Sequence, residues 1–470
     1  MVFSSLLFIC IFLPVVLTLC LIIPARWRNA FLLFSSLIFY GWGEPKYILL
    51  MAATAAVDYA AGLLISYYNS RSAQKAAKAV LAVTVILNIG TLCFFKYTGF
   101  VIESISALIG AQSPIIKLAL PVGISFYTFQ TLSYVIDVYR GRVAVQRNFI
   151  NFFMFVTIFP QLIAGPIVRY SDIESRLVDR PIYAEKFADG VFGFCIGLAK
   201  KVIIANRMGV VFDSATSGES TFLSALIAAV SFTFQIYFDF SGYSDMAIGM
   251  GKMLGFDFPE NFRYPYEADS ITDFWRRWHI TLSTWFREYL YIPLGGNRKG
   301  IKRQIFNLFV VWSLTGLWHG AGWNFLFWGI YFFLILVCEK LFLLKFLKKL
   351  PAFIRHIYTL VLVVIGWVLF YSESLSSVVS ALKSLFGVGV PLADNGALYL
   401  MSTSLIMFAV CIIASTHYPA KIANVVITRL TVLKPGLRVV IRGAFAVILL
   451  ILSIALLTGD SYNPFLYFRF

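Results

Sequence analysis

The sequence predicts an all-α, polytopic membrane protein, and three observations carry that prediction. Of 470 residues, 60% are hydrophobic and only 13% charged, about half the charged share of a soluble domain. Apolar runs of membrane-helix character succeed one another along the chain. Basic residues gather in alternate connections between those runs, as in loops held on the cytoplasmic side. Dividing length by a soluble-domain size therefore says nothing about domain count. The 17% aromatic content suits interfacial belts and a packed aromatic interior. The net charge of +16 is spread over short segments between apolar runs, which points to anionic lipid rather than nucleic acid.

The elements follow in order. Val2–Pro24 lacks the basic start of a cleavable leader and runs directly into Arg26 and Arg28, so it is expected to stay as a first membrane helix. The next runs are Phe31–Trp42, Tyr47–Tyr67, Ala79–Phe95 and Leu118–Tyr139. Arg71, Lys75 and Lys78 follow the third run, and Arg140, Arg142 and Arg147 the fifth. This parity places both the N-terminus and the C-terminus outside. Ile150–Ile167 contains Gly165-Pro166, a helix break tolerated at membrane depth only against protein or water, and a re-entrant loop on the cytoplasmic side is expected there. Phe187–Ile204, Phe222–Phe240, Phe306–Leu317, Ala321–Leu344, Ile357–Phe370, Ala397–Ala414 and Val439–Leu457 complete the set. Lys345, Lys348, Lys349 and Arg355 mark one further inside loop, and Lys421, Arg429, Lys434 and Arg438 another. The six cysteines form no CxxC pair and read as small buried hydrophobes.

A charged island, Phe262 to Asn297, interrupts this pattern. Ser270 with Asp273 resembles a helix-capping box. Phe274, Trp278, Leu282, Trp285 and Tyr289 recur at helical spacing, so one amphipathic helix is expected from Ser270 to Pro293, with His279 on an adjacent face. Two readings stand: an interfacial helix with its aromatic face among lipid headgroups, or a helix lining a polar cavity into which His279 points. The second of the four histidines of interest is His319, after Phe306–Leu317. That segment has about 12 residues, ~18 Å of helix against a ~30 Å hydrocarbon core, which puts His319 near mid-depth. A histidine there faces a cavity or bonds a neighbouring helix. His356 and His417 lie beside basic loops and read as structural. Asp239, Tyr243 and Asp245, beside Gly249, Gly251 and Gly255, suggest a polar channel or partners for the island's arginines. No ligand spacing supports a metal site.

The string DFWRRWHITLSTWFREYLYIPLGGNR (Asp273 to Arg298), the Trp318-His319-Gly320 triplet, Gly165-Pro166, FDFSGYSDMAIGMGKMLG and the C-terminal NPFLYFRF together resemble the membrane-bound O-acyltransferases (MBOAT). The resemblance is closest to the bacterial alginate O-acetyltransferase branch and covers essentially the whole chain. The D-alanyl transfer protein of teichoic acid synthesis shares the FWRRWH-like part, but YIPLGGNR favours the polysaccharide-acetylating branch. The resemblance implies a single membrane domain over 1–470, with N-terminal helices over 1–145, a catalytic core over about 146–345 and C-terminal helices over 346–470. It implies a funnel or tunnel through a helical core. It also implies a cytoplasmic acyl thioester donor (acetyl-CoA or a carrier-bound thioester), no bound cofactor, and an extracytoplasmic acceptor reached directly or through a partner acetyltransferase.

By motif His319 matches the family's catalytic histidine and His279 its second functional histidine. Trp318, Arg276, Arg277, Trp278, Asp245 and Tyr243 are the further candidates for binding donor or substrate. A neutral imidazole can take the proton of a hydroxyl that attacks a thioester; His279 would orient the acyl carbonyl or carry charge, and a covalent acetyl-histidine relay is equally compatible. The expected function is O-acetylation of an exported, alginate-like polysaccharide in a bacterial inner membrane. The alternatives are D-alanyl or peptidoglycan acyl transfer within the same family, and a flippase for a lipid-linked saccharide, which suits mid-depth polar groups but for which no paired halves are visible.

Overall fold

A computed structural model describes residues 1–112, 118–431, 435–459 and 465–466, with the side chains at 430, 431, 435 and 438 excepted. The C-terminal string other than Phe465 and Leu466, together with Lys434 and the Arg438 side chain, lies outside the described residues. Every regular element among the described residues is helical. Among the described residues six helices are long and apolar enough to cross a membrane, within Pro45–Ser70, Gln74–Ile109, Phe222–Met253, Ala352–Tyr371, Asn395–Ala414 and Val439–Gly459. The chain is thus an all-α, multi-pass membrane protein.

The chain divides into two units, one of residues 1–194 with 246–259, the other of residues 195–245 with 260–470. In the first unit the fourth apolar run is far longer than expected, a 36-residue helix over Gln74–Ile109. Lys96 and Glu103 end the run of apolar residues but have no reason to end a helix, since both are good helix formers. Gly110, at φ +69°, ends it in the left-handed conformation that only glycine adopts cheaply. Asn88 on this helix donates to Asp58 Oδ1 on Ile48–Ser70 at 2.7 Å, a buried polar bond between apolar helices. Gly165-Pro166 does break its helix: Phe149–Thr157 and Phe159–Leu162 are followed by irregular, buried backbone up to Arg169. Not all cysteines are buried; Cys10 and Cys93 face outward from their helices.

The second unit holds an aromatic core that includes Phe232, Tyr237, Phe274, Trp275, Trp278, Trp312, Trp328, Trp367 and Phe370. Gly300–His319 and Trp323–Cys338 form an antiparallel helix pair around a crossing where side chains are excluded. A Cβ on Gly316 would stand 2.3 Å from the Phe325 carbonyl oxygen, and one on Gly329 would stand 2.3 Å from that of Trp312. Two backbones can approach this closely only where both residues are glycine.

Two expectations fail here. Gly300–His319 is a 20-residue helix, ~30 Å long at 1.5 Å per residue, so the argument that a short segment leaves His319 at mid-depth does not hold. The polar first turn and the Trp318-His319 end are helical although neither belongs to the apolar run. The island is not one helix either. Ile271–Arg277 stops, Trp278 is extended, His279 is left-handed at φ +43° and ψ +54°, and a second helix runs over Ile280–Phe286 before a π-helical turn over Arg287–Tyr291. The aromatic stripe survives the break, since Phe274, Trp278, Leu282, Trp285 and Tyr289 are all buried. It packs inside the protein, which removes the interfacial-helix reading.

Candidate active site

The break at Trp278-His279 is built by long-range bonds. Ser270 caps the first short helix by accepting from Asp273 N–H at 3.1 Å, as the sequence suggests. The carboxylate of Glu339, itself fully buried, completes that helix end. Its oxygens accept from Ile271 N–H (2.7 Å), Thr272 N–H (2.8 Å), Thr272 Oγ1–H (2.6 Å) and Tyr358 O–H (3.1 Å). A carboxylate at a helix N-terminus satisfies donors that have no partner within the helix. On the other side, Arg263 N–H donates to the Arg277 carbonyl and Ile280 N–H to the Asn261 carbonyl, both at 2.9 Å. The segment around 261–263 thus takes up backbone groups that the helix break sets free. A left-handed, non-glycine residue costs on the order of 1–3 kcal/mol and persists only where its surroundings over-determine it.

Those surroundings fix the chemistry of His279, which is 1% exposed. Its Nδ1 lies 3.0 Å from Asn261 Oδ1. The amide orientation follows from its other neighbours. Thr281 N–H, which can only donate, points at the same Oδ1 at 3.4 Å, and Thr281 Oγ1 donates to it at 2.8 Å. Asn261 Nδ2 donates to Ser244 Oγ at 3.0 Å. With Oδ1 facing the ring, Nδ1 carries the proton and Nε2 is the bare acceptor. That Nε2 is buried and meets no hydrogen-bonding group among the described residues. A neutral His279 can therefore accept a proton or a hydrogen bond at Nε2 and donate none there. Orientation of an acyl carbonyl, one of the roles the sequence allowed it, requires a donor and does not fit this tautomer.

His319 ends its helix, 6% exposed, inside a cage of aromatic edges. The rings of Trp318, Trp328 and Phe370 lie nearly perpendicular to it at 5.1, 5.0 and 5.3 Å between centroids. Trp318 lies 6.0 Å from the His279 ring as well, so one indole touches both histidines. Both imidazoles line a cavity of about 280 Å³ with Trp275, Arg276, Arg287 and Thr315. His319 alone also borders a second cavity of about 20 Å³, with Asp239, Trp278 and Trp328, enough for about one water.

The other sequence candidates divide. Arg276 lines the larger cavity and Trp278 the smaller. Arg277 turns away: it bonds Asp273 at 2.8 Å and lines a separate cleft with Glu267, Asp269 and Arg355. Asp245 and Tyr243 border neither cavity. Asp245 pairs with Lys200 at 2.7 Å, and Tyr243 packs edge-on against Phe465. Asp239 binds Lys201 at 2.5 Å and accepts from Leu466 N–H at 3.0 Å. The acids of that run therefore meet lysines of the π-helical turn at 200–205, not the island's arginines; helix register over distant sequence decided the pairing. His417 bonds Glu267 at 2.7 Å and His356 approaches the Ala268 carbonyl at 3.2 Å, both away from the two cavities. Asn261, Thr281 and Glu339 escaped the sequence reading. None is periodic or clustered, and only their long-range partners give them meaning.

Comparisons with known proteins agree with the motifs. The profile described as the membrane-bound O-acyltransferase family matches residues 144–382. The chain is 42% identical over 394 residues to a probable alginate O-acetylase of Azotobacter vinelandii, covering 83% of this chain and 79% of that one. It is 39% identical to a probable alginate O-acetylase of Pseudomonas putida over 488 aligned positions, the full length of both. A peptidoglycan O-acetyltransferase of Helicobacter pylori is 36% identical over 429 positions, 83% of this chain and 80% of that one.

Proposed function

The chain belongs to the membrane-bound O-acyltransferase family, in its alginate O-acetylase-like branch, and from that premise we propose that it passes acetyl groups from a cytoplasmic thioester to an acceptor on the outer side of a bacterial inner membrane, for O-acetylation of an exported polysaccharide. The observation that carries the reading is the pair of buried imidazoles on one cavity, one of them held as a base. In this reading the acceptor oxygen attacks the thioester carbonyl and His319 removes its proton. The tetrahedral adduct collapses by breaking the carbon–sulfur bond, and the departing thiolate regains a proton from the imidazolium. His279 serves this traffic at Nε2 as a second proton-accepting site. Arg276 and Arg287 on the cavity suit the phosphates of a coenzyme A donor. The thioester brings its own activation, so no bound cofactor is invoked. The acceptor is reached directly or through an extracytoplasmic acetyltransferase partner, and both termini lie outside.

The test is transfer of radiolabelled acetyl from acetyl-CoA to glycan by the purified protein with its acceptor or partner. His319→Ala should lower the rate by about 10²–10⁴-fold in a protein that remains folded. Transfer at the wild-type rate would remove His319 from the chemistry. Saccharide flux without acetyl transfer would favour the flippase.

A further inference from the structure

A further polar cavity is lined wholly by residues of the first unit. It measures about 360 Å³ and is lined by Arg26, Arg28, Arg176 and Arg180, with Asn29, Asn148 and Asn151 and the single acid Asp179. Arg180 is its unusual member. It is only 9% exposed, and among the described residues no carboxylate pairs with it. Its guanidinium stacks on the Phe256 ring at 4.3 Å and its Nη1 donates to Asn29 Oδ1 at 2.9 Å. Its Nε–H is buried and meets no acceptor among the described residues. Asn29 is itself oriented by donating to Asn151 Oδ1 and to the Leu177 carbonyl. A buried, oriented, uncompensated guanidinium is costly, and cationic neighbours add to the cost. Arg176 is partly offset by Asp257 at 3.3 Å, but among the described residues Arg28 donates only to the Ile23 carbonyl.

Two helix starts border the same cavity. Ala25–Gly41 begins there with no side-chain cap, whereas Phe149–Thr157 begins at Asn148, whose Oδ1 already accepts from the Ile150 and Asn151 N–H groups. Both present the positive end of a helix dipole. An anion with several acceptor oxygens answers the whole arrangement, and phosphate matches the guanidinium fork. We propose that this cavity binds a phosphate group. The rim argues for a lipid headgroup as its carrier. Val178 on the cavity is 85% exposed, and Ile22 and Trp27, close in sequence to the lining residues Ala25, Arg26 and Arg28, are 71% and 57% exposed, apolar and indole surface suited to acyl chains and the interface. A soluble phosphate ester, such as coenzyme A, presents the same chemistry without using that rim.

Native mass spectrometry of the full-length protein in detergent, titrated with short-chain phosphatidylglycerol, tests the site. Arg26→Gln/Arg28→Gln should weaken binding by about tenfold or more, and Arg180→Gln likewise. Lys75→Gln/Lys78→Gln, an equally basic pair exposed elsewhere, should change it by less than about twofold. Coenzyme A added as competitor distinguishes the sources: failure to displace the lipid assigns the headgroup, and displacement assigns a soluble phosphate ester. Either assigns a phosphate. Equal losses in the pocket and control pairs, or no phosphate-ligand binding by the wild type, overturn the proposal. The partly exposed Arg26/Arg28 pair keeps the test valid should Arg180→Gln fail to fold.

Discussion

Asn261→Ala is the most informative single substitution, because it keeps both imidazoles and removes the group that orients one of them. The side-chain oxygen accepts from His279 Nδ1–H, Thr281 Oγ1–H and, more weakly at 3.4 Å, Thr281 N–H. With the bond from Asn261 Nδ2 to Ser244 Oγ, three good buried hydrogen bonds contribute about 1.5–4.5 kcal/mol together, and donors left unpaired cost more unless water enters. Folding stability should fall by about 2–3 kcal/mol. The rate effect is separate. Without Asn261 the proton can sit on either ring nitrogen and the ring can turn, so the orienting bond, about 1–1.5 kcal/mol, is lost from the transition state. That corresponds to a kcat lowered about five- to twelvefold, with KM nearly unchanged because Asn261 borders neither cavity. Asn261→Asp keeps an acceptor at the same place and should recover part of the loss. The assay is initial-rate acetyl transfer per folded protein, with the folded fraction measured by size-exclusion chromatography. A folded Asn261→Ala protein with kcat within about twofold of wild type would refute the tautomer argument.

Other outcomes follow from the same packing. Glu339→Gln keeps the shape but replaces charge-assisted bonds to Ile271 and Thr272, and should lower stability by about 2–3 kcal/mol; an unchanged thermal unfolding midpoint would show that the carboxylate does not hold the helix start. Gly329→Ala places a methyl 2.3 Å from the Trp312 carbonyl oxygen. It should separate the two helices, cost about 1–3 kcal/mol and reduce acetyl transfer by displacing His319; wild-type unfolding and activity together would contradict the close crossing.

The membrane helices were legible because lipid is a demanding solvent: a chain buried in hydrocarbon must bond its backbone internally and show apolar runs. Run lengths were less legible, since helices continue through polar residues, as Lys96 and the Gly300–Arg303 turn illustrate. His279 and His319 stood out by residue type and motif. Their shared cavity did not, and neither did the rejection of Asp245, Tyr243 and Arg277 from it.

By itself the sequence determined the solvent of this protein, its helical class and its family, and it singled out the two imidazoles on which the proposed function rests. Tertiary structure decided their states and neighbours. Periodicity extends only a few turns along the chain, whereas the kink at His279 is stabilised by Asn261 and Arg263, and the helix before it by Glu339. Such bonds depend on how distant segments meet, and no local pattern encodes them. The island was expected to present His279 from the side of one continuous helix. Instead it breaks at that residue, and the Asn261 oxygen facing Nδ1 is what leaves Nε2 a bare acceptor beside the cavity.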